Sequence, residues 1–393
     1  MNRGSAAGRP GTKRDVPAPP LTIGLEEEVL LLDPRTFAPA PVAAQALERL
    51  GGDPRFTSEL PADQLEITIG PAQTVRELTA ALAAARRDLA TALDGLAVPA
   101  AAGVHPTAPV AGQLQSGARY DALHLEFGEL ARRQQVCALQ IHVDLGERGR
   151  TVVVHDALRS HLPEIAALAA NAPFQAGRDT GLASARPVVC RLLPRQGVPP
   201  ALGGHDGWQR ELAWGDAAGA LPDTGRWWWE LRPHPRFGTL EVRVPDAQTT
   251  VTDAAAIAAF VHALTASLAA RHDAGVALPV HPTWRIEELR WRACRDGVAA
   301  MFADLDTGAQ RPVHDILTER LRDLAPMAER LGCDAELADA ARLLGAGGGC
   351  AAQREIAARA GIGSVPAWLA SRYVESVIDR ETGGVPPGRA TAP

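Results

Sequence analysis

Apolar and polar side chains alternate along five short segments of the chain. This pattern predicts β-strands, because successive side chains of a strand point to opposite faces. In the first segment, residues 22–33, aliphatic side chains share one face and Glu26 and Glu28 share the other. Glu27 falls on the apolar face, and the alternation gives no reason for a carboxylate there. Two carboxylates side by side on a largely apolar strand repel each other and resist loss of water, so cations between them would explain their placement.

The four later segments repeat this arrangement of one apolar and one polar face. Their polar faces carry, in chain order, Glu66 (segment 64–69), Gln140, His142 and Asp144 (136–145), Glu230 and Arg232 (227–233), and Glu241 and Arg243 (237–246). A short link with proline and glycine joins the last two segments and predicts a hairpin. We expect a curved antiparallel sheet with helices on its apolar face and an open, charged face on the other side.

Helical periodicity fills much of the remaining chain. Thr74 is predicted to cap a helix over residues 75–93, because Glu77 three residues later completes a capping box. Further helices are predicted at 119–133, 151–171, 252–270, 285–301, 313–331, 334–344, 350–360 and 366–379. Strands and helices in this order predict an α+β protein.

Composition sets the class of protein. At 393 residues, with 46% apolar residues, the chain can bury a large core. We expect one domain over residues 21–380, between disordered segments at 1–20 and 381–393. A net charge of −6 argues against a nucleic-acid partner, and no stretch reads as a signal peptide or a membrane span. The five scattered cysteines form no C-x-x-C pair, which is typical of reduced thiols in the cytoplasm.

The positive charges come almost entirely from arginine. Lys13 is the only lysine, so the predicted domain contains neither a P-loop lysine nor a Schiff-base lysine. Anionic ligands would have to be held by guanidinium groups, which bind phosphate and carboxylate through two parallel hydrogen bonds. The glycine-containing loop at 174–186 carries Arg178 and Arg186 and suits an anion. A surface loop with ordinary ion pairs explains that stretch equally well.

The polar faces together suggest a metal site. Carboxylates with one histidine fit Mg²⁺ or Mn²⁺ better than zinc, and arginines beside such ions suit a polyphosphate. A solvated strand face and a ladder of cross-strand ion pairs are the structural alternatives. A divalent-metal hydrolase with the same ligands, or a catalytically silent binding scaffold on the same fold, are the functional alternatives.

Several of these segments resemble a known family. They are Thr22–Asp33, Gln64–Thr68, Cys137–Asp144, Gly177–Gly181, Trp228–Pro233 and Gly238–Asp246. Together they are similar to the bacterial carboxylate–amine ligases, the type 2 glutamate–cysteine ligases, over about residues 22–375. The resemblance implies the glutamine synthetase-like catalytic fold, with ATP and Mg²⁺ bound on the sheet. It implies that ATP phosphorylates a carboxylate, by expectation that of glutamate, and that an amine, nominally of cysteine, displaces phosphate to form an amide.

The resemblance also implies roles for individual residues. It implies Glu26, Glu28, Glu66, His142 and Glu241 as metal ligands, with Glu59 as a further candidate, and Arg178, Arg186, Arg232 and Arg243 as contacts to phosphoryl oxygens. Arg243 and Arg178 would act in catalysis. The family usually has His-x-His on the third strand, where this chain has Gln140-Ile-His142, so the number of metals is left open. The substrates would be small molecules, and a homodimer is left open.

Overall fold

The computed structural model describes residues 21–219, 227–234 and 236–378. The segments predicted to be disordered, 1–20 and 381–393, lie outside the described residues, as do the last two residues of the predicted domain.

The strands of the described chain form one large sheet and two small hairpins. They are β1 (Ile23–Leu32), β2 (Phe56–Ser58), β3 (Gln64–Ala72), β4 (Val98–Ala100), β5 (Leu139–Val143), β6 (Phe174–Gln175), β7 (Arg178–Asp179), β8 (Leu231–Pro233), β9 (Leu240–Val242), β10 (Met301–Ala303) and β11 (Gln310–Pro312). The large sheet has the order β2-β3-β1-β5-β9-β8, β4 also pairs with β1, and every pairing is antiparallel. The five segments predicted from alternation supply β1, β3, β5, β8 and β9, so the predicted antiparallel sheet is confirmed.

The helices surround this sheet. They are α1 (Ala43–Arg49), α2 (Val75–Ala92), α3 (Ala118–Phe127), α4 (Glu129–Arg132), α5 (Arg148–Leu158), α6 (Leu162–Leu168), α7 (Arg186–Cys190), α8 (Gly204–Ala217), α9 (Val251–Asp273), α10 (Thr283–Asp296), α11 (Val313–Leu331), α12 (Asp334–Gly345), α13 (Gly348–Ala360) and α14 (Val365–Ile378). The predicted cap of α2 is present, because the side chain of Thr74 accepts a hydrogen bond from the Glu77 amide at 3.1 Å.

Helix α9 is the centre of the core. It packs against α2, α5, α11 and α12, and most of its side chains are buried. By length and composition alone α9 is a candidate membrane span, which the sequence analysis overlooked. Because 83% of its apolar window is buried against the rest of the protein, a core helix explains its composition.

Two predicted helices are interrupted and one ends early. The helix predicted at 119–133 breaks at Gly128, which has φ +56° and separates α3 from α4. The helix predicted at 151–171 breaks at the 3₁₀ turn Arg159–His161, before α6. Helix α10 ends at Asp296, and a 3₁₀ turn at Gly297–Ala299 and the start of β10 at Met301 replace the last turn of the helix predicted at 285–301.

The apolar face of the sheet explains Glu27. Its carboxylate accepts two hydrogen bonds from the guanidinium of Arg86 on α2, one of them at 2.9 Å, and both side chains are 0% exposed. Arg86 also donates to the main-chain oxygens of Gln248 and Thr249, and its guanidinium lies 4.1 Å from the centre of the Tyr373 ring. The carboxylate that breaks the alternation is therefore one half of a buried ion pair that joins the sheet to its helical layer.

Candidate functional site

The register of the sheet brings the polar residues of separate strands together. Four directly opposed pairs result: Glu28–Glu66 between β1 and β3, Glu26–Gln140 between β1 and β5, His142–Glu241 between β5 and β9, and Arg232–Glu241 between β8 and β9. Side chains directly opposite each other in an antiparallel pair have Cβ atoms about 5 Å apart. The open face of the sheet therefore concentrates carboxylates at its centre.

These side chains form two groups that could each hold a metal ion. Glu26, His142 and Glu241 form the histidine cluster, and Glu28, Glu59 and Glu66 form the triple-glutamate cluster. Within each cluster the potential ligand atoms all lie within 4.8 Å of one another. Glu26 and Glu28 are two residues apart on β1, so the two clusters are neighbours separated by about 7 Å along the strand.

The histidine cluster contains a buried nitrogen that suits a metal ion. The Nδ1 atom of His142 lies 3.0 Å from the Thr239 hydroxyl, which fixes the orientation of the ring. The Nε2 atom is buried, lies 3.4 Å from a carboxylate oxygen of Glu26 and makes no hydrogen bond among the described residues. An imidazole held through one nitrogen, with the other directed at carboxylates, is the usual arrangement of a metal-binding histidine.

Two arginines compensate the charge of Glu241. Arg232 donates from Nε to one carboxylate oxygen of Glu241 at 2.5 Å, and Arg243 donates to the other oxygen. Burial by itself would raise the pKa of Glu241, but the charges of Arg243 and Arg232 outweigh it and hold that pKa far below its ordinary value. This carboxylate therefore stays ionised and able to ligate a cation at any ordinary pH.

The carboxylates of the triple-glutamate cluster are buried close together, and this raises the pKa of two of them. Burial, followed by the nearby charge of Glu59, raises the pKa of Glu28 to about 7. Burial and the same neighbour raise the pKa of Glu66 well above its ordinary value. Like charges in a shared, desolvated site resist ionisation, and a divalent cation between them removes that repulsion. The three carboxylates therefore fit a hard cation such as Mg²⁺.

Gln140 occupies the position where the family named in the sequence analysis usually has a histidine. It connects the two clusters through hydrogen bonds to Glu28 and Arg243. Its amide nitrogen donates to Glu28 at 2.8 Å, and its amide oxygen accepts a hydrogen bond from Arg243. Glu28 also accepts a hydrogen bond from the Ala138 amide at 2.6 Å. Both polar ends of Gln140 are thus engaged by neighbouring side chains, which makes it a spacer between the two clusters.

Two cavities open beside the clusters. The first cavity, of about 280 Å³, is lined by the triple-glutamate side of the site and includes Glu28, Arg186 and Arg243. The second cavity, of about 420 Å³, is lined by the histidine side and includes His142 and Phe237. A site with an acidic centre and a cavity at each side has room for two ligands that meet at the acidic centre.

The four predicted phosphate-binding arginines have different positions. Arg243 lines the first cavity, and so does Arg186, which donates to the main-chain oxygens of Val244 and Arg243. Arg232 is buried and paired with Glu241. The structure does not bring Arg178 to the site: the β6–β7 hairpin exposes its side chain, and it lines neither cavity. Its predicted phosphate contact stays a prediction.

Sequence reasoning missed several side chains of the site. The hydroxyl of Thr239 contacts His142. The first cavity is lined by Gln64, Phe127 and Trp228. Thr239 lies two residues before Glu241 in segment 237–246, so the alternation that assigns Glu241 and Arg243 to the polar face was a signal that could have identified it. The same alternation assigns Trp228 to the polar face with Glu230 and Arg232. No local signal marks Phe127, because the fold brings it to the cavity from a distant segment.

Solved structures identify the fold. The glutamate–cysteine ligase of Francisella tularensis, solved in complex with AMP, superimposes with a TM-score of 0.64 at 11% identity and covers 92% of this chain and 94% of that chain. A bifunctional glutathione synthetase from Pasteurella multocida gives a TM-score of 0.64 at 14% identity, over 92% of this chain and 53% of that chain. The fold is that of the glutamine synthetase-like ligases, as the sequence analysis predicted.

Sequence comparison identifies the family. The family model "Glutamate-cysteine ligase family 2" matches residues 22–375. A relative named "Putative glutamate–cysteine ligase 2-3" from Rubrobacter xylanophilus is 38% identical over 88% of this chain and 94% of its own length. One named "Putative glutamate–cysteine ligase 2" from Thermobifida fusca is 33% identical over 88% of this chain and 89% of its own length. The chain belongs to glutamate–cysteine ligase family 2, and it is a ligase that forms carbon–nitrogen bonds.

Proposed function

We propose that this protein joins a carboxylic acid to an amine with ATP as the energy source, and that glutamate and cysteine are the pair expected from the family. The observation that supports this best is the pair of acidic clusters lying between two cavities. Two ligands that meet at bound cations are what phosphoryl transfer from a nucleotide to a second substrate requires.

The chemistry has two steps. A carboxylate oxygen of the acid takes the γ-phosphoryl group of ATP, which gives an acyl phosphate and ADP. The amine nitrogen then attacks the acyl carbon, the carbon–oxygen bond to phosphate breaks, and the nitrogen loses a proton to give the amide. Neither step needs a nucleophile from the protein, so the side chains act by positioning and by charge.

The acidic side chains provide the cation sites in this proposal. Mg²⁺, or Mn²⁺ in its place, would be held by Glu26, His142 and Glu241 in one cluster and by Glu28 and Glu66, with Glu59, in the other. When bound, these ions supply neutralisation of the phosphate oxygens. The paired arginines keep Glu241 ionised, and the Thr239 hydroxyl keeps the imidazole turned toward the cluster.

The arginines bind the anionic groups of both substrates. Arg243 lies between the two clusters and lines the first cavity, so its guanidinium can donate to oxygens of the phosphoryl group during transfer. Arg186 lines the same cavity and is assigned to the acid. Arg232 acts through Glu241. The second cavity is assigned to the nucleotide, because Phe237 there, stacked on His234 at 4.4 Å, offers an aromatic surface for a base.

A substrate panel tests the proposed function. The protein is incubated with ATP, Mg²⁺ and all pairs from a set of acids and amines that includes glutamate and cysteine; phosphate release is measured and the amide is identified by mass spectrometry. We expect phosphate release that requires Mg²⁺ and rises when an acid and an amine are present together. If no pair raises ATP consumption above the background, the ligase proposal fails. Cation-dependent cleavage of an amide product in the absence of ATP would instead identify a metal-dependent hydrolase.

A further inference from the structure

Part of the wall of the first cavity is apolar. The side chains that form this part are Leu123, Phe127, Leu193 and Trp228. The Phe127 and Trp228 rings meet edge to face, with centroids 5.7 Å apart and planes at 66°. Edge-to-face aromatic pairs hold each other in fixed orientations and present apolar surface to a ligand. Such a wall stabilises an apolar group, and the Trp228 ring already has a cation beside it, because the Arg195 guanidinium lies 5.7 Å from its centre.

The same cavity is lined by two buried donors without acceptors. The amide nitrogen of Gln64 and the Nε atom of Arg186 make no hydrogen bond among the described residues, and these residues are 1% and 7% exposed. Both line the cavity. Because a buried donor without an acceptor costs free energy, these two groups indicate that the cavity receives a ligand with acceptor oxygens.

The cavity has no free carboxylate for an ammonium group. Three acidic side chains line it among the described residues: Glu28, Glu59 and Glu230. Glu28 and Glu59 belong to the triple-glutamate cluster. Glu230 accepts two hydrogen bonds from the guanidinium of Arg290, at 2.8 and 2.7 Å, and is thereby neutralised. The α-ammonium group of glutamate would therefore enter this cavity without a counter-charge of its own.

We propose that the acid activated in the first cavity has an apolar body, preferably with an aromatic ring, and no ammonium group beside it. An arylalkanoic acid such as 4-phenylbutyrate has this chemistry. Its carboxylate would accept from Gln64 and Arg186 near the triple-glutamate cluster, and its ring would pack on Phe127 and Trp228. Phe127 and Trp228 are then specificity-determining residues. Because this assignment rests on the proposed ligase function, its test has to separate the two.

Hydroxylamine makes the test independent of the unknown amine, because it attacks any acyl phosphate and yields a hydroxamate, which gives a coloured complex when ferric ion is added. The enzyme is supplied with ATP, Mg²⁺, hydroxylamine and one acid at a time: 4-phenylbutyrate, hexanoate, glutarate or glutamate. We expect kcat/KM for 4-phenylbutyrate to exceed that for glutamate at least tenfold. We expect Phe127→Ala and Trp228→Ala to raise the KM for 4-phenylbutyrate about tenfold, equivalent to about 1.4 kcal/mol of binding, and to leave the KM for ATP within twofold.

Leu125→Ala is the matched control. Leu125 lies on the same helix as Phe127 but is 89% exposed and does not line the cavity, so its variant is expected to keep wild-type constants for both substrates. An equal or higher kcat/KM for glutamate overturns the assignment while the ligase function stands. An unchanged KM for 4-phenylbutyrate in Phe127→Ala also overturns it.

A binding measurement separates the two proposals if no acid yields hydroxamate. Calorimetric titration of the wild-type protein with 4-phenylbutyrate then gives the decision. Binding that is weakened about tenfold by Phe127→Ala, but not by Leu125→Ala, supports the assignment of the cavity although the ligase function has failed. The absence of binding overturns the assignment as well.

Discussion

Replacing Glu27 by glutamine is expected to destabilise the fold strongly, although Glu27 lies outside both cavities. The variant keeps the shape of the side chain and removes its charge, so the Arg86 guanidinium loses its counter-charge at a position that is 0% exposed. The main-chain oxygens of Gln248 and Thr249 remain as acceptors but carry no full charge. Removing one partner of a buried ion pair typically costs about 3–5 kcal/mol, and we expect a loss in this range.

Urea unfolding followed by circular dichroism measures this loss. We expect a lower midpoint with an unchanged slope, which identifies a change in stability and not in the unfolded state. The double variant Glu27→Leu with Arg86→Met leaves no buried charge and is expected to recover most of the stability. Glu129→Gln, at an exposed ion pair with Arg132, is the control and should barely shift the midpoint.

Two results would refute this reasoning. A loss below about 1 kcal/mol in Glu27→Gln would show that the buried charge of Arg86 is compensated without its partner. A double variant as unstable as the single one would show that packing around these side chains, and not their charge, determines the stability.

Three other predictions follow from the ionised groups. Burial opposes the ionisation of Glu164, but His161 and Arg320 lower its pKa to about 2. The stabilisation that this gives is complete above the ordinary pKa of 4.5 and is lost as the pH falls toward 2. Acid unfolding of Glu164→Gln should therefore depend less on pH in that range. Glu241→Gln should reduce ATP turnover at least 10³-fold, measured as phosphate release, and near-wild-type turnover would exclude it as a ligand. Thr239→Val should weaken Mn²⁺ binding about tenfold by calorimetry, because the cluster's imidazole loses its orienting partner; unchanged affinity would show that the hydroxyl does not position the ring.

Strand alternation was enough to predict the sheet and the polar side chains on its open face. Glu26, His142 and Glu241 could be grouped from the sequence because the period of two assigns each of them to the polar face independently of the rest of the fold. Their meeting in one cluster depends on the register between strands. The resemblance implied these residues as ligands, and the structure gives the register.

Side chains whose partners lie far away in sequence could not be predicted. The alternation marked Glu27 as an exception but could not point to Arg86, which lies 59 residues away on a different element. Arg86 itself leaves a signal, since it is a charged residue on the buried stripe of an amphipathic helix. The alternation assigned Gln140 to the polar face and the family pattern marked it as a departure, but its bonds to Glu28 and Arg243 could not be predicted, because they depend on the pairing of three strands.

The permanently charged cationic side chains that line the two cavities are arginines, and in the proposed mechanism this protects the protein from the acyl phosphate. An acyl phosphate acylates free amines, and a lysine side chain, with an ordinary pKa near 10.4, is a small fraction free amine at neutral pH. Arginine keeps its proton and does not react in this way. Since Lys13 is the only lysine and the chain has none after it, an acyl phosphate that escapes the amine substrate meets no lysine anywhere in the catalytic fold. Misdirected activation should therefore not end in acylated lysine, and the enzyme should survive long exposure to ATP and acid without amide-linked self-modification of side chains in its folded part.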